Sequence, residues 1–307
     1  MPLSLENRLR NFRAGRQTPS AGAPPPLMAD LLGGLAVEDG DGAYYLIRRT
    51  YPGSIELPPP QPEGLRRNLR LLYGVGPRTE ERLRALGVDT LDQLADHARW
   101  SAQAGEILQA IALKDVRHLQ RKGARDKDLL SFFTPEDLVF LDIETTGLYS
   151  VLPLFLVGLL YLAEGKLHLV QFLARHFGEE RPLLAAVAAH LPRFKMIVSY
   201  NGRAFDLPYL SGRFMAHKLA CRLDHIHLDL LRHARRKYRG LLPDCRLSTV
   251  EAVALACGGR ADDVPGYMIP ELYHKFVRTQ DQAIIRGIVE HNAQDLLALA
   301  GLIRLVE

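Results

Sequence analysis

The sequence is poor in cysteine. Only Cys221, Cys245 and Cys257 occur in 307 residues, an odd number with no C-x-x-C spacing. That excludes a disulfide framework and predicts reduced, mostly buried thiols in a cytoplasmic protein. Long apolar runs are missing too, and none approaches the length of a membrane-spanning helix. Arg10, Arg13 and Arg16 lie near the N-terminus, but no signal-like apolar core follows them, so export is not expected. Net charge is also small. At +4, with a pI near 9.0, the chain tolerates a polyanionic partner without requiring one.

Proline is abundant in one place only. Ten of the nineteen prolines fall in residues 1–62, including Pro24-Pro25-Pro26 and Pro58-Pro59-Pro60, and such runs favour extended, solvated chain. Within this segment Leu3 to Phe12 fits a short basic amphipathic helix. Ala43-Tyr44-Tyr45-Leu46-Ile47-Arg48-Arg49-Thr50 fits a strand, so a small strand element of its own is expected between the proline runs. From about Leu65 to Lys122 Leu, Ala and Arg recur at helical spacing. Gly74 and Gly76 interrupt one helix, Pro77 suits the first turn of the next, and Gly87 suits its end. Leu72, Val75, Leu83, Leu86, Val88, Leu91 and Leu94 provide a core for such a hairpin. Arg117, Arg121, Lys122 and Arg125 recur at helical intervals downstream, and Arg125-Asp126-Lys127-Asp128 reads as a hinge. Three parts result: a Pro-rich segment with a small strand element (1–62), a helical domain (63–130) and an α/β domain (131–307).

The third part carries the chemistry. The apolar run Leu138-Val139-Phe140-Leu141 reads as a buried strand leading into Asp142-Ile143-Glu144-Thr145-Thr146-Gly147-Leu148. Strand alternation puts Asp142 and Glu144 on one face. Neighbouring carboxylates repel, and such a pair persists mainly where a cation joins it. Hard oxygen donors suit Mg²⁺ or Mn²⁺; a solvated acidic turn is the plain alternative. A second acid, Asp206, follows the turn Ser199-Tyr200-Asn201-Gly202 at the start of a helix anchored by Phe205, a position also favoured by the helix dipole alone. A third group lies in Glu290-His291-Asn292-Ala293-Gln294-Asp295, where His291 and Asp295, four apart, share a helix face. Asp229 precedes a Leu-Leu-Arg helix and suits an N-cap, and His225 and His227 flank a strand as structural or rim residues. Arg232, Arg235, Arg236, Lys237 and Arg239 surround Tyr238 with no acid among them. That pattern suits a groove that tracks a nucleic-acid backbone and stacks a base, or merely a solvated helix end.

The stretch Phe140 to Leu148, the Asn201-x-x-x-Phe205-Asp206 segment and the His291–Asp295 helix resemble the three motifs of the DEDD-type 3′–5′ exonucleases of the RNase H-like superfamily. Asp224 to Arg232, Cys245 to Glu251 and Asp263 to Tyr273 narrow the resemblance to the bacterial YprB-like family, over roughly residues 135–305. The resemblance implies an RNase H-like mixed sheet flanked by helices. The order of elements agrees: strands near 138–143, 154–162 and 166–173 in a meander, then strands near 196–200 and 226–228 alternating with helices, and a closing helix from Gln282 to Leu305. It implies two Mg²⁺ or Mn²⁺ ions about 3.5–4 Å apart. Asp142, Glu144 and Asp295 would hold the first, Asp142 would bridge to the second, and Asp206 would support that one through water. His291 would be the general base, since imidazole exchanges protons near neutral pH. One spacing departs from the pattern. The histidine branch places His five residues before its Asp and the tyrosine branch places Tyr four before, whereas here His stands at the tyrosine spacing.

Leu71 to Val88 is similar to a helix-hairpin-helix element. In that family the Gly74-x-Gly76 type of turn offers N–H groups to a DNA phosphate, which holds nucleic acid without reading its sequence. Asn201, Gly74, Gly76 and the cations of 232–239 are therefore expected to touch nucleic acid. The expected activity is a metal-dependent 3′–5′ exonuclease, with DNA slightly favoured over RNA. A weakly active nucleic-acid-binding scaffold and an RNA-processing or structure-specific nuclease are the alternatives. No membrane partner is expected.

Overall fold

The computed structural model describes residues 33–59, 62–256 and 264–306. The amphipathic helix expected at Leu3 to Phe12, the first proline run, Cys257 and Asp263 lie outside them. Among the described residues no helix is long and apolar enough to cross a membrane.

Among the described residues seven strands form one sheet in the order β1-β2-β5-β4-β3-β6-β7. They are β1 (Leu35–Asp39), β2 (Gly42–Pro52), β3 (Leu138–Thr145), β4 (Leu154–Ala163), β5 (Lys166–Leu173), β6 (Met196–Ser199) and β7 (Ile226–Asp229). β3, β4 and β5 make the expected antiparallel meander, and β6 and β7 run parallel to β3. The result is a mixed sheet flanked by helices, as an RNase H-like fold requires. β4 lies between two strands with helices on both faces, and its first nine residues are accordingly buried.

Four short or medium helices, α1 (Pro62–Arg66), α2 (Pro77–Ala85), α3 (Ser101–Ala112) and α4 (Val116–Arg121), surround a separate small core that includes Leu69, Leu91, Leu94 and Ile107. Leu86, counted as core from its spacing, is exposed, because α2 ends at Ala85 and the chain turns there through Gly87 at φ +80°. α5 (Asp126–Leu130) then leads to the sheet. Helices α6 (Glu180–His190), α7 (Asp206–Ala216) and α10 (Ile269–Thr279) share one hydrophobic core with the first half of α11 (Gln282–Leu302). α8 (Leu230–Tyr238), α9 (Leu247–Ala254) and the second half of α11 share a second core.

Two expectations are corrected. The strand at 43–50 is not a separate element. It is the core of β2, paired along β5 from Tyr45↔Leu173 to Pro52↔Lys166, so an edge that would otherwise be open is covered. Residues 125–128 are not a hinge. Arg125 Nε donates to Asp128 at 2.7 Å, Asp128 is fully buried, and Asp126 meets His233 of α8 at 2.9 Å, which fixes the helical region to the sheet. Cys221 and Cys245 are free thiols, half-buried and so less enclosed than expected.

Candidate active site

β3 delivers the first two acids. Its alternation sends Val139, Leu141 and Ile143 into one core and Leu138 and Phe140 into the other. Asp142 and Glu144 continue the second row, each with part of its surface open. A bulge between Glu144 and Thr145 ends the regular pairing there.

The second motif reaches the same place from β6. Asn201 has φ +67°, a left-handed conformation that asparagine tolerates better than most residues. A Cβ on Gly202 would meet Ser199 Oγ at 2.1 Å, so only glycine fits the turn. Asp229, the N-cap of α8, pins this loop by accepting from the N–H groups of Asn201 (2.8 Å) and Arg203 (3.2 Å) as well as Leu231 (3.1 Å). Asp206 is the first residue of α7 and is buried. Its carboxyl accepts from its own N–H and from the N–H of Ile143, between the two acids of β3. Burial, aided by the charges of Asp229 and Asp295, nevertheless pushes its pKa up to about 7.

α11 supplies the third part. It starts at an Asp281 cap, whose side chain accepts from Ala283 N–H at 2.9 Å, and buries Ile285, Ile288, Val289, Leu296 and Leu299 along one stripe. Asn292, also fully buried, donates from Nδ2 to Asp142 Oδ2 at 2.7 Å and to the Asp142 main-chain oxygen at 3.3 Å. His291 Nε2 lies 3.6 Å from Asp295 Oδ2, near but beyond hydrogen-bond range. Burial holds the Asp142 carboxyl well above the usual range, and the charges of Asp295, Glu144 and Asp206 add to this while the Asn292 bond opposes it.

The structure therefore gathers Asp142, Glu144, Asp206, His291 and Asp295 into one neighbourhood. Among the described residues, however, no three His, Cys, Asp or Glu side chains already stand close enough to hold an ion. The donors fit hard divalent cations in kind: four carboxylates whose charges act on one another, with Asp142 and Asp206 hydrogen-bonded by neutral N–H groups. Of the other expected residues, Asn201 lies on the loop that leads to Asp206, and the rest are not members of this group. Arg232, Arg235, Arg236, Lys237 and Arg239 are exposed along and just beyond α8. Tyr238 is half-buried and packs against the core on that side of the sheet. Gly74 and Gly76 lie in the helical region beside a recess of about 540 Å³ that Arg70, Arg121 and Lys122 also line. His225 and His227 are structural, bonded to Leu191 O (3.0 Å) and Ser199 Oγ (2.8 Å).

Sequence reasoning passed over Asn292, Gln171 and Arg49. Gln171 Nε2 donates to Asn292 Oδ1 and to Val289 O, both at 2.8 Å, and Arg49 Nη2 donates to Gln171 Oε1 at 3.0 Å. A signal for them existed. Gln171 interrupts the apolar run Leu169 to Leu173 of its strand, and Gly158 interrupts another strand, which marks a close approach. A Cβ on Gly158 would meet Asn292 Oδ1 at 2.1 Å.

Residues 139–306 match the RNase H superfamily, which is more than half of the chain. The chain belongs to that superfamily. Among curated proteins, the uncharacterized protein YprB of Bacillus subtilis is 32% identical over 174 residues, spanning 55% of this chain and 42% of that protein. Among solved structures, the family B DNA polymerase of the archaeon Pyrobaculum calidifontis is 19% identical, with a TM-score of 0.46, over 56% of this chain and 24% of the polymerase. At that level the polymerase carries no weight in assigning activity here.

Proposed function

We propose that this superfamily member is a metal-dependent nuclease that shortens nucleic acid from the 3′ end, with DNA favoured over RNA. The observation that carries this reading is the joining of three sequence-distant acids at one point. Asp206 is bonded to Ile143 N–H, Asn292 to Asp142, and Asp295 acts on the charge state of both Asp142 and Asp206.

Asp142, Glu144 and Asp295 would hold one Mg²⁺ or Mn²⁺, and Asp142 with Asp206 a second. Bound there, such ions would lower the pKa of an attacking water and stabilise the leaving 3′ oxygen. The chain's own residues do the rest. Asn292 holds Asp142 in orientation, and the Ile143 N–H does the same for Asp206. His291, one helical turn before Asp295, takes the proton of the attacking water. The exposed cations of α8 begin beside the loop that Asp229 pins, so they would engage backbone phosphates next to the acids. In the helical region, Gly76 caps α2 with Pro77 in the first turn, and the Arg121 and Lys122 side of the recess would engage phosphates further along the strand. Exchanging Arg121 and Lys122 for Glu should lower the slope of log affinity against log salt by about 1 for each phosphate that is no longer neutralised.

A nucleic-acid-binding scaffold with little turnover is the second reading. His291 standing four residues before Asp295, where the tyrosine branch places its Tyr, favours it. Oligonucleotides of DNA and RNA, single- and double-stranded and labelled at the 5′ end, separate the two when incubated with Mn²⁺ or with chelator. A ladder shortening from the 3′ end in Mn²⁺, absent in chelator and in Asp142→Ala, is the expected result. Binding without cleavage of any substrate would favour the scaffold and overturn the nuclease.

A further inference from the structure

A line of directly opposed residues crosses the sheet beneath α11: Ile47 on β2, Gln171 on β5, Gly158 on β4 and Asp142 on β3. Directly opposed residues share a face, so Gln171, Gly158 and Asp142 all look toward the same helix, and Arg49, two residues after Ile47, looks the same way. The hydrogen bonds between them have a fixed direction. Arg49 is donor-only, and it gives Nη1 to both Glu290 oxygens (2.8 and 2.9 Å) and Nη2 to Gln171 Oε1 (3.0 Å). Gln171 must then present its NH₂ to Asn292 Oδ1 (2.8 Å), which leaves Asn292 its own NH₂ to give to Asp142 Oδ2 (2.7 Å). If either amide turned over, oxygen would face oxygen, and both Gln171 and Asn292 are fully buried, where no water relieves such a clash. Gly158 leaves the space that Asn292 occupies.

We infer that Asn292 is a positioning residue for Asp142, and that Arg49, through Gln171, sets its polarity. One Asp142 oxygen is thereby committed to the amide and the other is presented to a cation. Arg49 lies outside the stretch that matches the superfamily, so the β1–β2 hairpin takes part in the site as well as covering the sheet edge. This inference rests on the proposed metal-dependent reading, and its test separates the two. The whole protein, stripped with chelator and dialysed, is titrated with Mn²⁺ alone while the resonance of free Mn²⁺ reports binding.

Asn292→Ala should weaken half-saturation about 10–100-fold, as loss of a partner that orients a ligand usually does. Arg49→Met should shift it less, in the same direction. The double variant should bind no more weakly than Asn292→Ala alone, because Arg49 acts only through that amide. A purely structural role would instead lower both melting temperatures additively and leave Mn²⁺ half-saturation unmoved. If Asn292→Ala binds within twofold of the unaltered chain while Asp142→Ala does not bind, the inference is overturned and the metal reading stands. If Asp142→Ala binds as before, the metal reading itself falls. Should Asn292→Ala not fold, Arg49→Met decides, and unchanged half-saturation in that variant overturns the inference.

Discussion

Glu180 and Asp206 are both buried carboxylates at the first residue of a helix in the same α/β body, yet their surroundings have opposite sign. Glu180 is met by Arg213 through Nε and Nη2, both at 2.6 Å, by His217 Nε2 at 2.9 Å and by the N–H of Leu154 at 2.8 Å. Asp206 has two backbone N–H groups and, around it, the charges of Asp229 and Asp295. The first arrangement compensates a buried charge and ties α6 to α7 and β4. The second leaves charge uncompensated, which costs stability and makes sense where something positive is to be bound.

The largest effect on cleavage is expected at Asp206. Asp206→Asn should lower cleavage about 10³-fold or more, as loss of one member of a jointly acting group does, while the melting temperature in chelator holds or rises. Side-by-side rate and melting measurements check this, and a fall in stability without a fall in rate would make Asp206 a counterpart of Glu180.

Removing a cation from the compensated cluster should act in the reverse sense. Arg213→Ala strands a buried Glu180 and should cost about 3–5 kcal/mol in urea unfolding. Unchanged stability would mean that the ion pair does not hold α6 to α7.

The dependence on pH sharpens the contrast further. Asp206 is held at about 7 in the folded chain, and an unfolded Asp returns to about 3.9. Between these values the unfolded state releases a proton that the folded state keeps, so stability in chelator should fall as pH rises from about 4 to about 7, then level off. Asp206→Asn should flatten that slope, and an unaltered slope would mean another group governs it. The smallest effect belongs to His217, partly exposed at the rim of the Glu180 cluster. His217→Ala should cost about 1 kcal/mol in the same unfolding assay.

How much of this was legible follows from which forces act locally. The apolar runs of β3, β4 and β5 and the alternation of Asp142 with Glu144 are properties of short segments, and they hold in the structure. Asp229 as a cap was legible for the same reason, since a cap bonds residues beside it. Partnerships across the fold were not. β2 reads as an isolated strand because nothing near residue 45 names β5 as its neighbour. Arg125 to Asp128 reads as a charged hinge because His233, more than a hundred residues away, is what holds it. Tyr238 reads as a stacking platform because its own segment does not reveal the core beneath it. The Arg49–Gln171–Asn292 line combines both cases, with Gln171 and Gly158 visible as oddities in apolar strands and their purpose visible only once the strands are in register.

On the proposed reading, the acids around Asp142 form a binding place for divalent cations. Thermal unfolding with and without Mn²⁺ tests this, because any ion bound only by the folded chain raises the melting temperature, by an amount that grows with the logarithm of its concentration above its dissociation constant. A rise in the unaltered protein that grows with Mn²⁺ concentration and disappears in Asp142→Ala, with Glu180→Gln still responding to Mn²⁺, is the expected result. No rise, or an equal rise in Asp142→Ala, would contradict it.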